Sequence, residues 1–497
     1  MTEPPDRPDL GRATLSGVRW ISLSRVVVET TALVASFTVA HLVPPAAFGH
    51  AVIALVVVAL AAIVGPPGLT AALVQRRVLD RDHVEAAAFL SLLVGGALTG
   101  LTLALAPAWR SLFGHETARL LLLASPAWLL AGIGAVSQAL LQRELQFRRV
   151  ALVDAASVLA GTATTLVLAI AGVDAEAIVA GGLVTLAVAT AIAVGLARPP
   201  RPRPSRRGVR EVGGFAAPVA LSSLAYASFL NVDYAILGAR IPAAKVGFYW
   251  RAYQVAVEYQ GKISQIMLRI SFPVFSRTES LEELRRLRMR IVRVHGSVIV
   301  PLLAAFVGLA PAFIPFAYGS RWEPAVVPAQ IMAVAGMGNA LVTGTGPLLI
   351  AIGRPGALLA WNLAELAAYG TMVFLLAPHG LIAVAIGVAT FSSVGVALTQ
   401  VVLLRPLVGL PVRQFVSEAL PGFVVGACVA VGVSALRSVL DSAGLPTVAI
   451  LALGALAACT IYVVVLRALF ADTWNDLASI VRRVTDATRG PALASAE

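Results

Sequence analysis

Apolar segments long enough to cross a bilayer recur from residue 16 to residue 469, with no hydrophilic interval between them long enough to fold alone. Small domains need about 50 residues, and the longest polar stretches, 276–290 and 471–497, are far shorter. A catalytic head, a nucleotide-binding domain and a large external domain are therefore excluded. Composition agrees, since 58% of the 497 residues are apolar and 13% are charged, against about 45–50% and about 25% in soluble domains. The fold expected is an all-α polytopic membrane protein.

A spanning helix needs about 20 mostly apolar residues. About fourteen are expected, at 16–42, 47–75, 84–108, 118–141, 150–171, 175–197, 212–238, 245–275, 289–317, 324–352, 356–377, 381–404, 415–436 and 446–469. The breaks carry turn chemistry, as in HLVPPAA, GVDAE, GARIPAAK and GRPG. The first segment holds Arg25 and Glu29, so it reads as a retained span rather than a cleaved signal. With the N-terminus inside, the inner segments hold 28 Lys and Arg residues and the outer segments 6. Basic residues collect on the cytoplasmic side, so both termini are expected there. The same rule accounts for the net charge of +12 without any nucleic-acid partner.

The expected organisation is a cytoplasmic tail (1–15), a six-helix lobe (16–197), a basic Pro/Arg-rich linker (198–211), a second six-helix lobe (212–404), two added helices (415–469) and an amphipathic tail (470–497). The two lobes are expected to surround a central cavity. A parallel internal repeat supports the halves. Shifted by 198 residues, LVPPAAFG (42–49) overlies RIPAAKVG (240–247), matching Pro44 with Pro242, Ala46 with Ala244 and Gly49 with Gly247. Two segments read as interfacial helices on the inner leaflet. One is 278–291, opened by the capping pattern Ser280-Leu-Glu-Glu283, with Leu281, Leu284, Leu287 and Ile291 on one face. The other is the tail, where Trp474, Leu477, Val481 and Val484 repeat at helical spacing.

Few catalytic signatures occur. Cys428 and Cys459 lie in apolar segments, and the six histidines are scattered without HExxH. No GxxxxGK[ST] is present, so no ATP site is expected. No metal and no cofactor are expected. Asp80-Arg81-Asp82 lies in a short inner loop and reads as solvated. Gly336-x-Gly338 and Gly344-x-Gly346 read as close helix packing. Gly65-Pro66-Pro67-Gly68 interrupts the second span, as a static kink or as a hinge.

Charges inside spans are costly in lipid and turn toward polar interiors. In the eighth span Arg251, Glu258, Lys262 and Arg269 are spaced so that an ideal helix points them to roughly 0°, −20°, 20° and 0°. With Gln254 and Gln265 they form one polar stripe over about 27 Å. The stripe reads as a wet path for a polar substrate or as ion pairs between helices. The first span repeats the theme with Ser22, Arg25, Glu29 and Ser36, and the eleventh with Asn362, Glu365 and Tyr369. The seventh carries Asn231, Asp233 and Tyr234. Arg25, Arg251, Lys262, Arg269 and Asn362 are the expected substrate contacts. Glu29, Glu258 and Glu365 are the candidate coupling carboxylates, since a partly desolvated carboxylate can exchange a proton during transport. Cations outnumber carboxylates, which favours an anionic headgroup.

Four stretches then identify a family: PPAAFGHAVIALVVV (44–58) with GLTAALVQR (68–76), LLQRELQFRRVALVDAAS (140–157), VGFYWRAYQVAVEYQGKI (246–263) and ISFPVFSR (270–277). The chain resembles the oligosaccharide flippases of the polysaccharide transporter branch. Their superfamily includes the multidrug and toxin extrusion transporters and the lipid II flippases. The resemblance implies two lobes of six helices and alternating access. It also implies passage of a polyprenyl-diphosphate-linked oligosaccharide from inner to outer leaflet of a bacterial inner membrane, as in lipopolysaccharide or exopolysaccharide assembly. Polymerases and glycosyltransferases of one pathway would then be partners. The expectation is a transporter, not an enzyme. An ion-coupled drug exporter of the same fold is the alternative, although organic cations would want an anionic cavity. A membrane glycan polymerase or glycosyltransferase fits less well, because the outer loops are too short for a folded module.

Overall fold

In a computed structural model, residues 10–64, 73, 79–144, 146–265, 275, 278 and 280–489 are described. Among them there are helices and no strands. Among the described residues, ten helices are long and apolar enough to cross a membrane. The polytopic all-α architecture is therefore present, while the number fourteen is not established by the described residues. The chain divides into two compact units, Met1–Gly247 and Phe248–Glu497.

The first unit contains α1 (Leu10–Leu42), α2 (Pro45–Val64), α3 (Arg81–Ala104), α4 (Ala106–Ala124), α5 (Pro126–Arg143), α6 (Phe147–Ile170), α7 (Ala175–Ala197), α8 (Arg206–Phe229) and α9 (Val232–Arg240). Helix α6 packs between α1 and α7, and α5 packs between α3 and α7. The seventh expected span is thus two helices, broken at Leu230–Asn231. Helix α8 starts at Arg206, inside the expected linker. The prolines end at Pro204, and Ser205 then caps the helix by accepting the Gly208 N–H at 3.3 Å. The linker is docked: Arg203 N–H donates to the Glu85 carbonyl at 3.2 Å, and His83 meets Glu211 at 2.8 Å. Asp80 accepts the His83 N–H through its carbonyl and returns its own N–H to the His83 ring, so the DxD triplet opens α3. The Gly65–Gly68 interruption lies outside the described residues.

The two repeat motifs meet inside this unit. A Cβ placed on Gly49 would lie 1.7 Å from the Ala243 carbonyl oxygen, and one on Gly247 would lie 2.2 Å from that of Pro45. Residues 45 and 243, like 49 and 247, are repeat equivalents. The contact is therefore reciprocal, and each glycine removes the side chain that would hold the other segment away.

The second unit contains the remainder of α10 (Ala243–Tyr253), α11 (Leu281–Tyr318), α12 (Val326–Val342), α13 (Thr345–Ala351), α14 (Pro355–Leu376), α15 (Leu381–Leu398), α16 (Arg405–Val408), α17 (Val412–Ser442), α18 (Thr447–Leu469) and α19 (Ala471–Arg489). Helix α11 runs along α17 and also packs on α12. The separate interfacial helix expected at 278–291 does not exist. Residues 281–318 form one 38-residue helix, because no breaker separates Ile291 from the apolar run that follows. Ser280 is its N-cap residue but makes no side-chain capping bond. Leu284 packs with Phe275, Leu404, Val408 and Phe415 instead of lying on a leaflet.

Within α11, Pro311 leaves the Val307 carbonyl without its helical donor. Gln330 of α12 fills the gap, donating its Nε2 to that oxygen at 2.8 Å. The tenth expected span is discontinuous. Gly344, at φ 89°, separates α12 from α13, and only glycine adopts that conformation cheaply. Gly338 places Ser392 of α15 within 2.6 Å of where its Cβ would be, as close packing requires. The tail helix α19 packs Trp474 and Leu477 against the buried cluster of Val425, Val429, Ala458 and Leu466. Asp476 pins it to α11 through Arg293 at 2.6 Å and Arg290 at 3.1 Å.

Candidate functional site

The eighth span continues from α10 through a wide turn at Gln254–Glu258 and on as helix to residue 265. The Tyr259 N–H donates to the Gln254 carbonyl, five residues back. Such a π turn holds one residue more than an α turn, so everything after it lags by about 100°. The single stripe expected from ideal helix geometry is therefore broken. Arg251 turns inward with 0% exposure, whereas the Glu258 and Lys262 side chains remain 43% and 41% exposed. The local sequence QVAVE contains no breaker that would announce the turn. Its partner does: a Cβ on Gly336 of α12 would lie 2.3 Å from the Ala256 carbonyl oxygen.

Arg251 sits in an aromatic box. Its guanidinium carbon is 4.0 Å from the Tyr318 ring centroid and 4.8 Å from those of Trp250 and Trp322. Its Nη1 donates to the Gln254 Oε1 at 2.8 Å, across the start of the π turn. Tyr318 comes from the end of α11 and Trp322 from the 3₁₀ turn Ser320–Ala325. Ring faces replace part of the hydration that a buried guanidinium loses, and its plane stacks where an ammonium would not. In this arrangement Arg251 is an anchor between helices. Nearby, the Tyr249 and Tyr369 hydroxyls lie 3.3 Å apart, tying the eighth span to α14.

Lys262 and Glu258 form an i,i+4 pair at 3.8 Å, with the Lys262 Nζ also 5.3 Å from the Tyr259 ring centroid. A half-exposed pair of this length is weakly held. On α14, Asn362 is exposed, Glu365 is half-buried and accepts from the Trp361 indole, and Tyr369 is buried. Glu29 is exposed on α1. Arg25 lies in α1, but its side chain falls outside the described set, and Arg269 lies outside the described residues altogether. Asp233 is buried at the start of α9, where its Oδ1 accepts the Tyr234 N–H at 2.9 Å.

Two buried groups escaped the sequence reading because both were counted away from the polar stripe. Arg288, inside the segment expected to be an interfacial helix, is fully buried in α11. Its Nη2 donates to the Leu341 carbonyl at 2.7 Å, capping α12 at its break. His295, one heptad on, bonds through Nε2 to the Ser264 hydroxyl at 2.8 Å. Their seven-residue spacing was the available signal. No cluster of three or more His, Cys, Asp or Glu that could hold a metal occurs among the described residues.

Apolar helices long enough to cross a membrane, with charge placed inside spans, define a polytopic membrane protein. Residues 38–327 match the family model described as polysaccharide biosynthesis protein. That is more than half of the chain, and the protein belongs to that family. It is similar to the lipopolysaccharide biosynthesis protein WzxC of Escherichia coli strain K12, 26% identical over 423 residues that cover 82% of this chain and 84% of that one. It is also similar to the teichuronic acid biosynthesis protein TuaB of Bacillus subtilis strain 168, 23% identical over 373 residues that cover 74% and 77%. The fold matches that of the lipid II flippase MurJ in an inward closed conformation, with a TM-score of 0.75 and 13% identity, over 91% of this chain and 99% of that one. It also matches an inward-facing multidrug resistance transporter of the MATE family, with a TM-score of 0.59 and 16% identity, over 76% and 94%.

Proposed function

We propose that this chain is a flippase that moves a polyprenyl-diphosphate-linked oligosaccharide from the inner to the outer leaflet of a bacterial cytoplasmic membrane, by alternating access, for cell-surface polysaccharide assembly. The observation that carries the reading is membership of the polysaccharide biosynthesis family across more than half of the chain. The fold shared with a lipid II flippase supports it. The organisation proposed with it is the two lobes 16–197 and 212–404 plus the helices of 415–469, with both termini cytoplasmic. Polymerases and glycosyltransferases of the same pathway are its proposed partners.

A diphosphate sheds water as it crosses and needs cations beside it. Lys262, Arg25 and Arg269 are assigned that role, and Asn362 is assigned to hydroxyls of the glycan. Lys262 offers a mobile point charge that Glu258 moderates, which suits transit better than a tight site. Glu29, Glu258 and Glu365 are the candidate coupling carboxylates. Arg251, enclosed by rings, is assigned to holding the helix.

Translocation of lipid-linked glycan by the purified protein in vesicles tests the reading. Lys262→Gln, Arg25→Gln and Arg269→Gln should each lower the rate at normal abundance. Replacing all three carboxylates by Gln should flatten its pH dependence. A parent protein that moves no glycan but exports organic cations would replace the flippase by the exporter.

A further inference from the structure

The π turn in the eighth span decides which side chains can meet a substrate. Without it, Lys262 would lie about 20° from Arg251 around the helix, on the side of the aromatic box. With it, Lys262 lies about 80° away on the opposite hand, which fits full burial of Arg251 beside 41% exposure of Lys262. A π turn widens the backbone, and here the widened edge has a fitted partner. The Ala256 carbonyl enters a space on α12 that exists because residue 336 has no side chain. At the other edge, the Arg251 to Gln254 hydrogen bond spans the entry to the turn while three rings hold the guanidinium.

We propose that Gly336 and the boxed Arg251 are positioning residues that hold the eighth span in its π register, so that Lys262 and Glu258, rather than Arg251, face the transported headgroup. The last clause rests on the flippase reading, whereas the register itself does not. A side chain at 336 displaces the Ala256 carbonyl and drives the wide turn toward α geometry, which rotates residues 259–265 by about 100° and carries Lys262 toward the box. Deleting Ala256 has the reverse logic. It removes the extra residue together with the wide turn, so the helix after it keeps its facing.

The register is read by thiol labelling. Lys262→Cys is placed in a Cys428→Ser, Cys459→Ser background and treated in membranes with a membrane-impermeant maleimide. Gly336→Ala should lower the labelling rate at least fivefold at unchanged abundance, and deletion of Ala256 in the same chain should restore it. With Lys262 retained, glycan translocation in vesicles should fall and recover in parallel. Deletion of Ala256 alone should leave labelling and translocation near the parent level. This variant also decides the matter if Gly336→Ala does not fold. Unchanged labelling in Gly336→Ala, or loss of labelling in the folded deletion variant, overturns the proposal. Labelling that follows the expected pattern in a protein that moves no glycan would uphold the register and reject the flippase reading alone.

Discussion

Gly49→Ala tests the seam where the two repeat motifs meet. The new Cβ would lie 1.7 Å from the Ala243 carbonyl oxygen, where ordinary contact begins at 3.4 Å. The obstructing atom is backbone, so no side chain can swing away, and the segments must part by about 1.5 Å. Overpacking of this kind costs about 1–3 kcal/mol, which is a factor of about 5–150 in the population of the packed arrangement. Val246 is fully buried beside the seam, so a Val246→Cys reporter in a background without Cys428 and Cys459 reads its opening. Gly49→Ala should raise labelling of this thiol by an impermeant maleimide about tenfold and lower the thermal midpoint in detergent. Gly247→Ala, 2.2 Å from the Pro45 carbonyl oxygen, should do the same. The double variant should cost less than the sum, because both act on one contact. Labelling and midpoint both unchanged in folded Gly49→Ala would refute the seam as a packed contact.

Three further outcomes are expected. Reporter fusions at Arg207 and Glu497 should both report the cytoplasm, and an external signal at either would reverse the topology. Asp476→Asn should weaken the attachment of α19 to Arg290 and Arg293 by about 1 kcal/mol for side chains still partly solvated. The change is measurable as faster limited proteolysis of the tail, and an unchanged rate would mean that the apolar seat of Trp474 and Leu477 suffices. Arg251→Lys keeps the charge but loses planar stacking on the rings, and should cost about 1–2 kcal/mol in thermal stability, whereas Lys262→Gln should cost little. Equal effects would mean that the box does not anchor the bundle.

Helix placement was legible wherever an apolar run ended in turn chemistry, as at GVDAE between α6 and α7 or GRPG before α14. Such signals are local, carried by the residues at the break. The polar residues of the eighth span were legible too, because charge in an apolar run is conspicuous. Their common facing was not. The wheel assumed 3.6 residues per turn throughout, and one wide turn invalidates it for every later residue. The same blindness covered 284–291, where an amphipathic pattern was real but Leu284, Leu287 and Ile291 belong to the cluster of Phe415, Leu404 and Val408. Periodicity shows that a face is apolar, not whether lipid or protein covers it. The burial of Arg288 was hidden for a similar reason, since a cation expected on an interfacial helix is, in three dimensions, a buried cap on α12.

Composition and span length were enough to make this an all-α membrane protein, because lipid forces each span to satisfy its own backbone. Nothing in that logic specifies the rotation of one helix against another. In lipid there is little hydrophobic preference between a neighbouring helix and an acyl chain, so facing is set by close packing and hydrogen bonds. The missing side chain at Gly336, the carbonyl freed by Pro311 and the rings around Arg251 are pairwise facts between segments distant in sequence. They exist only once the chain is folded, and they set which side chains are enclosed and which stay exposed.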